Sequence, residues 1–193
     1  MSLQLSRPEA WSLFCEWTQS PSLRKHVLAV EAAMRAYARR VGEDEDLWGI
    51  TGLLHDLDYE RHPDAETGHP RYGMAELERQ GFTPDFVRAV ASHADYLDVP
   101  RETPMEKTLY AVDELSGFIM ACAYVRPTGI HGLKPKSVKK KMKTPAFAAA
   151  IDRDALRAGA EDLGVEFDEH VAVVIAALEE RSGELDLDGA EAA

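Results

Sequence analysis

Acidic residues outnumber basic ones by 34 to 22 in this chain of 193 residues, and the net charge of -12 excludes general binding to duplex nucleic acid. The length suits one domain with a sizeable core. No apolar run reaches the roughly 18 to 20 residues that span a bilayer, and MSLQLSRPEAW lacks a secretory signal's basic and apolar regions. The sequence therefore predicts a cytoplasmic protein with no membrane partner, and Cys15 and Cys122, far apart in the chain, fit reduced thiols.

Nearly every segment reads as helix. Ser6 followed by Arg7-Pro8 opens a first helix to about Thr18, because serine can cap free N–H groups and proline suits the first turn. Ser20-Pro21 repeats the signal. The second helix runs to about residue 40, with Leu23, Val27, Val30, Met34 and Ala38 at spacings of three and four, and Gly42 ends it. A third helix spans about 44 to 57. The polar stretch Asp58 to Pro70 reads as a loop. Helices follow at about 70 to 80 and 83 to 95, and Thr103-Pro104 opens a long one to about 124. Arg126 to Lys136 is a predicted loop, and two or three helices occupy 137 to 181. Residues 1–182 are thus expected to form a single all-α domain, a compact helical bundle. Residues 183–193 are expected to be an acidic, frayed tail.

Six potential metal ligands fall on five of these segments. His26 flanks the apolar stripe of the second helix, and His55-Asp56 end the third. His69 opens the next helix, and His93 lies seven residues after Phe86. Asp113 sits on a very apolar helix, where an aspartate is costly to bury without a partner or a metal. Each has an ordinary reading alone, such as a hydrogen-bonded core histidine or a helix end.

Taken in order, His26, His55-Asp56, His69, His93 and Asp113 resemble the HD superfamily of metal-dependent phosphohydrolases, over roughly residues 22 to 120. The first His, the His-Asp doublet and the last Asp match His26, His55-Asp56 and Asp113. Two further histidines occur in branches that bind more than one metal. One opens a His-Pro-x-x-Gly motif, matched by His69-Pro70-Arg71-Tyr72-Gly73, and the other follows an apolar helix, as His93 does. HDLDYERHPD together with the later lysines looks like a small group of predicted HD hydrolases. Two departures stand out. Asp58 occupies the glycine position of His-Asp-Ile-Gly branches, and Ala94-Asp95-Tyr96-Leu97 replaces the Gly-Tyr-Pro of cyclic-dinucleotide phosphodiesterases.

The resemblance implies one or two divalent transition-metal ions, with iron, manganese or zinc suited to imidazole and carboxylate and magnesium an option. It further implies that Asp56 bridges the ions and that a metal-bound hydroxide attacks a small phosphorylated molecule, such as a nucleotide. Asp58 and Asp95 lie near the ligands in sequence and are candidates for proton handling or ligand orientation, besides Asp56. Glu114 would point about 100° from Asp113 on a helix and is set aside.

Residues 134 to 143 hold six lysines and no acid. If Ser137 caps a helix there, Lys136, Lys140 and Lys143 share a face with Lys139 beside it. These lysines and Arg126 are the expected phosphate contacts. The same six ligands also occur in HD-fold di-iron oxygenases, so an oxygenase is an alternative function, and a non-catalytic metal- or ligand-binding regulator is another. The sequence leaves the oligomeric state open.

Overall fold

Six of the nine helices among the described residues start where a side chain caps or boxes the free backbone N–H groups. The structure, a computed structural model, describes residues 5–190. Among these it contains α1 (Arg7–Trp17), α2 (Pro21–Val41), α3 (Glu45–Leu54), α4 (Arg71–Arg79), α5 (Pro84–Ser92), α6 (Pro104–Tyr124), α7 (Pro135–Met142), α8 (Arg153–Leu163) and α9 (Phe167–Glu179), with a 3₁₀ turn at Asp95–Leu97 and no strand. Ser6 and Glu9 form a reciprocal capping box at α1, as do Thr103 and Glu106 at α6. Ser20 accepts from the N–H of Leu23 at α2, and Thr83 from that of Phe86 at α5. Gly42 closes α2 in the left-handed region, at φ 76°.

The all-α bundle expected from the periodicity is present, with α2 and α6 at its centre. α2 packs on α3, α6 and α9, while α6 packs on α5, α7, α8 and α9. Val27, Val30, Met34 and Ala38 of the predicted stripe are fully buried, as are Leu109, Leu115, Phe118 and Ile119 of α6. Each large side chain buried this way stabilises the fold by about 1.5–3 kcal/mol. No helix among the described residues is long and apolar enough to cross a membrane.

Two local expectations differ from the structure. α7 begins at Pro135 with Lys134 at the cap, so Ser137 lies inside the helix and caps nothing. Proline lacks the N–H that would go unpaired at the first helical position, which moves the start upstream. Residues 183–190 are not frayed either. Leu185 and Leu187 are buried, and the N–H of Ile130 donates to the Leu187 carbonyl at 2.8 Å. This approach needs Gly129, because a Cβ there would meet the Leu187 oxygen at 1.9 Å. Residues 191–193 of the expected tail lie outside the described residues, as do 1–4.

A buried ion cluster ties this C-terminal segment to α1 and α2. The Glu31 carboxylate, 1 % exposed, accepts from Arg7 Nη2 at 2.9 Å, Arg35 Nε at 3.0 Å and Arg181 Nη1 at 3.1 Å. Burial pushes its carboxyl up, but Arg7 and Arg181 outweigh this and hold it below the usual range. Its stabilisation is therefore complete above the unfolded pKa of about 4.3 and is lost as pH falls through the lower folded value. Glu31→Gln is expected to lower stability at pH 7 by about 1–3 kcal/mol, since the three guanidinium groups keep some access to water. It should also flatten the loss of stability below about pH 4.3. Urea melts across pH 3 to 7 test this, and an unchanged acid limb would remove Glu31 as its source.

Candidate metal centre

Helix ends rather than helix interiors aim three of the four clustered imidazoles. α3 stops at Leu54 and α5 at Ser92, short of the expected ends, and His55 and His93 occupy the two C-caps. In each case the ring folds back on its own helix. His55 Nδ1 lies 2.7 Å from the Gly52 carbonyl, and His93 Nδ1 lies 2.5 Å from the Val90 carbonyl. A carbonyl only accepts, so both Nδ1 atoms carry a proton and both Nε2 atoms are left to face the site. The side chain also takes the acceptor that the next helical N–H would use, which helps to end each helix.

His69, just before α4, reaches the same state through another partner. Its Nδ1 donates to Asp58 Oδ1 at 2.7 Å, and Asp58 Oδ2 accepts the N–H of Gly73 at 2.7 Å. A Cβ on Gly73 would lie 3.2 Å from the Asp58 carboxyl, so glycine here makes room for the aspartate. Burial pushes Asp58 up, yet the bonds from His69 and Gly73 keep its carboxyl below the ordinary carboxylate range. His26 comes from α2 and Asp113 from the middle of α6.

These groups meet. His26 Nε2 is 2.9 Å, and His55 Nε2 3.3 Å, from Asp113 Oδ1. Asp56 faces both halves of the set. Its Oδ2 lies 3.5 Å from His55 Nε2 and 3.7 Å from His26 Nε2. Its Oδ1 lies 3.4 Å from His69 Nε2 and 3.7 Å from His93 Nε2. His26, His55 and Asp113 form one group compact enough for a cation, and His55, Asp56 and His93 a second.

The donor set fits metal ions on two observations. His55 Nε2 is buried and has no hydrogen-bond partner, a costly state for a polar atom. His69 Nε2 and His93 Nε2 lie 3.0 Å apart, and with both Nδ1 atoms protonated two lone pairs face each other. Two nitrogens at that separation subtend about 90° at an ion about 2.1 Å from each. The electrostatics agree. Burial lowers the His55 imidazole, but Asp56 and Asp113 outweigh it and carry it up to about 10, so a positive charge is favoured at this nitrogen, as a proton where no ion is held. Burial also opposes ionisation of Asp113, yet His55 and His26 hold that carboxyl well below its usual range. At His93 burial wins, with help from His55, and pushes the ring down to about 4, so it stays a neutral donor.

A cavity of about 450 Å³ opens over this floor, with His26, Asp56, His69, His93 and Asp113 at its base. Asp95 lines the wall, paired with Arg101 Nη1 at 2.7 Å and the Tyr110 hydroxyl at 3.0 Å. Asp58 does not line the cavity. It is fully buried behind His69, with its carboxylate turned to His69 and Gly73. Glu114, set aside on helical angle, does line the wall. Surrounding protein and the Asp113 carboxylate push its carboxyl up to about 7, although the side chain is exposed at the rim. A helical wheel misses it because the cavity is wider than one helix face.

The expected phosphate contacts lie elsewhere. Lys136, Lys139, Lys140, Lys143 and Arg126 are all absent from this cavity. Lys139 Nζ pairs with Asp168 of α9, and Arg126 donates to the carbonyls of Gly129 and His131. Lys140 and Arg126 instead border a separate cavity beside Cys122 and Leu133. Val138 and Met142, the apolar residues of α7, are buried, and that burial decides which way its lysines face.

Residues 23–117 match the family model of the HD domain. The chain is 30 % identical over 98 residues to Ribonuclease Y of Oleidesulfovibrio alaskensis, covering 51 % of this chain and 18 % of that protein. It is 26 % identical over 133 residues to Ribonuclease Y of Rhodopirellula baltica, covering 69 % of this chain and 24 % of that protein. The chain thus spans less than a quarter of the length of these curated relatives. No solved structure matches it.

Proposed function

We infer that this protein, a member of the HD superfamily through the domain it carries over residues 23–117, is a metal-dependent phosphohydrolase of small phosphoesters. The observation that carries the reading is the convergence of imidazole Nε2 atoms on Asp56 and Asp113, with His55 Nε2 buried and without a hydrogen-bond partner. In the hydrolysis, the phosphorus–oxygen bond to the leaving alcohol breaks and one to a water oxygen forms, and a water proton ends on the alcohol. One or two divalent ions of iron, manganese, zinc or magnesium, held by His26, His55, Asp56, His69, His93 and Asp113, would acidify water and neutralise charge on the phosphoryl oxygens.

The chain's own residues supply the rest. Gly52, Val90 and Asp58 hold three imidazoles in the tautomer that leaves Nε2 free. Asp56 joins the two halves of the set, and burial of the floor keeps its field strong. Asp95 faces the cavity and is a candidate carboxylate for proton handling, held in place by Arg101 and Tyr110.

Substrates of low charge suit this site best. No Lys or Arg lines the cavity, so the support that the lysines lent to a nucleotide is gone. A nucleoside monophosphate stays within the class. Ribonuclease Y acts on RNA by its name, whereas the net charge of -12 disfavours extended RNA here. The free cysteines Cys15 and Cys122 support a reducing compartment such as the cytoplasm.

Protein purified without chelator is expected to hold one or two transition-metal ions per chain and to hydrolyse bis(p-nitrophenyl) phosphate. Chelation should stop the reaction and manganese should restore it. Metal-replete protein inert towards phosphoesters would sink the reading. Oxygen uptake by the iron-loaded form without phosphate release would move it to the oxygenase alternative.

A further inference from the structure

The wall above the ligands is not built as phosphate recognition alone would build it. It contains no cation. Instead it offers the aromatic side chains of Tyr59, Tyr96 and Tyr110 and the carboxylates of Asp95, Glu114 and Asp152. Tyr59 and Tyr96 are 45 % and 47 % exposed, so their rings are open to a ligand. Asp95 is already neutralised by Arg101. Glu114 and Asp152 join no ion pair among the described residues, and Arg153, next to Asp152, is taken up by the carbonyls of Phe147, Ala148 and Ile151. Two carboxyl groups without an ion-pair partner among the described residues therefore share one cavity with His26, Asp56, His69, His93 and Asp113 at its base.

A substrate's phosphate belongs at the base, where ions would meet it. Whatever joins that phosphate must then lie against the acidic and aromatic wall. A second phosphate there would meet the Glu114 and Asp152 carboxyl groups with no Lys or Arg on the wall to offset them, which is unfavourable. A cation would be attracted by both, and by the faces of the tyrosine rings. A cavity of about 450 Å³ also limits the whole molecule to a small one.

Resting on the hydrolase reading above, we propose that the substrate is a small phosphoester whose alcohol carries an amino or quaternary ammonium group, held by Glu114 and Asp152 against Tyr59 and Tyr96. These four residues select the substrate, and the metal ligands act on its phosphate. The cation lies beyond the bond that breaks, so its contacts change specificity and leave the chemistry of hydrolysis as described.

The test compares phosphocholine with 3,3-dimethylbutyl phosphate, which has the same shape with carbon in place of the charged nitrogen. Metal-loaded protein is read both by kcat/KM and by calorimetric Kd. The charged member is expected to be favoured at least tenfold in both, with the preference shrinking as salt rises. In a Glu114→Gln, Asp152→Asn double variant the ratio should fall towards one. Asparagine keeps the cap that Asp152 provides to the N–H of Asp154 at 2.8 Å, so α8 is preserved.

Equal use of the two esters, or a ratio unchanged in the double variant, would overturn the proposal. Loss of a bound metal ion from the double variant would do so too, because it would assign these carboxylates to the metal centre. Selective binding of phosphocholine with no hydrolysis of any phosphoester would instead sink the hydrolase reading and leave the ligand class standing.

Discussion

Asp56→Asn is expected to abolish phosphoester hydrolysis, lowering kcat/KM by on the order of 10³-fold or more, and to strip bound metal from the protein. Among the described residues, no other has oxygens facing both halves of the ligand set. Oδ2 looks towards His26 and His55, and Oδ1 towards His69 and His93, all within 3.4–3.7 Å. The amide keeps the shape but removes the charge and replaces one oxygen by a donor. That donor would face imidazole nitrogens on one side and lose the ion on the other. Metal analysis per chain, alongside hydrolysis of bis(p-nitrophenyl) phosphate, gives the two readouts. A chelator-treated thermal melt shows separately that the variant folds. If the variant keeps its full metal content and hydrolyses within tenfold of the parent, Asp56 is not the junction of the site.

Asp58→Ala should have the next largest effect, although Asp58 does not line the cavity. Its removal leaves the Nδ1–H of His69 and the N–H of Gly73 without their acceptor in a buried place. That costs about 1–3 kcal/mol of stability. His69 is then free to turn or to change tautomer, and losing such an outer partner lowers metal affinity by roughly 10–100-fold. Asp58→Asn should be only slightly better, because one amide oxygen cannot accept both donors and its NH₂ must face one of them. Titration of chelated protein with manganese gives the affinity, and added metal should recover much of the activity in the alanine variant. Activity lost at saturating metal, with affinity unchanged, would contradict a positioning role.

Helix starts were legible because caps act over three or four residues. Ser6 with Glu9, Thr103 with Glu106, and Ser20-Pro21 all carry their signal within one turn. The ligand types were legible for a similar reason. His55-Asp56, and the glycine four residues after His69, stand in short motifs. The role of Asp58 was not, since its partners lie 11 and 15 residues away across a loop. Its sequence signal was the departure itself, an aspartate where a glycine is usual, read first as a candidate for proton handling or ligand orientation. Glu114 was missed by treating a helix face as the limit of a cavity that several elements enclose.

The lysines mark the same boundary. Sequence determined that Lys136, Lys139 and Lys140 lie on one short helix with Lys143 at its C-cap, because Pro135 starts it and the apolar spacing turns it. The docking of α7 on α9 and α6, through Val138 and Met142, decided that the charges face away from the ligand cavity. Local rules of capping, periodicity and residue chemistry therefore determined the helices and the kinds of ligand. Tertiary packing decided which helix ends meet, which of Asp56's oxygens faces which imidazole, and which carboxylate stands behind a ligand rather than beside a substrate. The reason is physical: a cap or a stripe is satisfied by neighbours along the chain, whereas lone pairs converge only after burial has brought distant segments together.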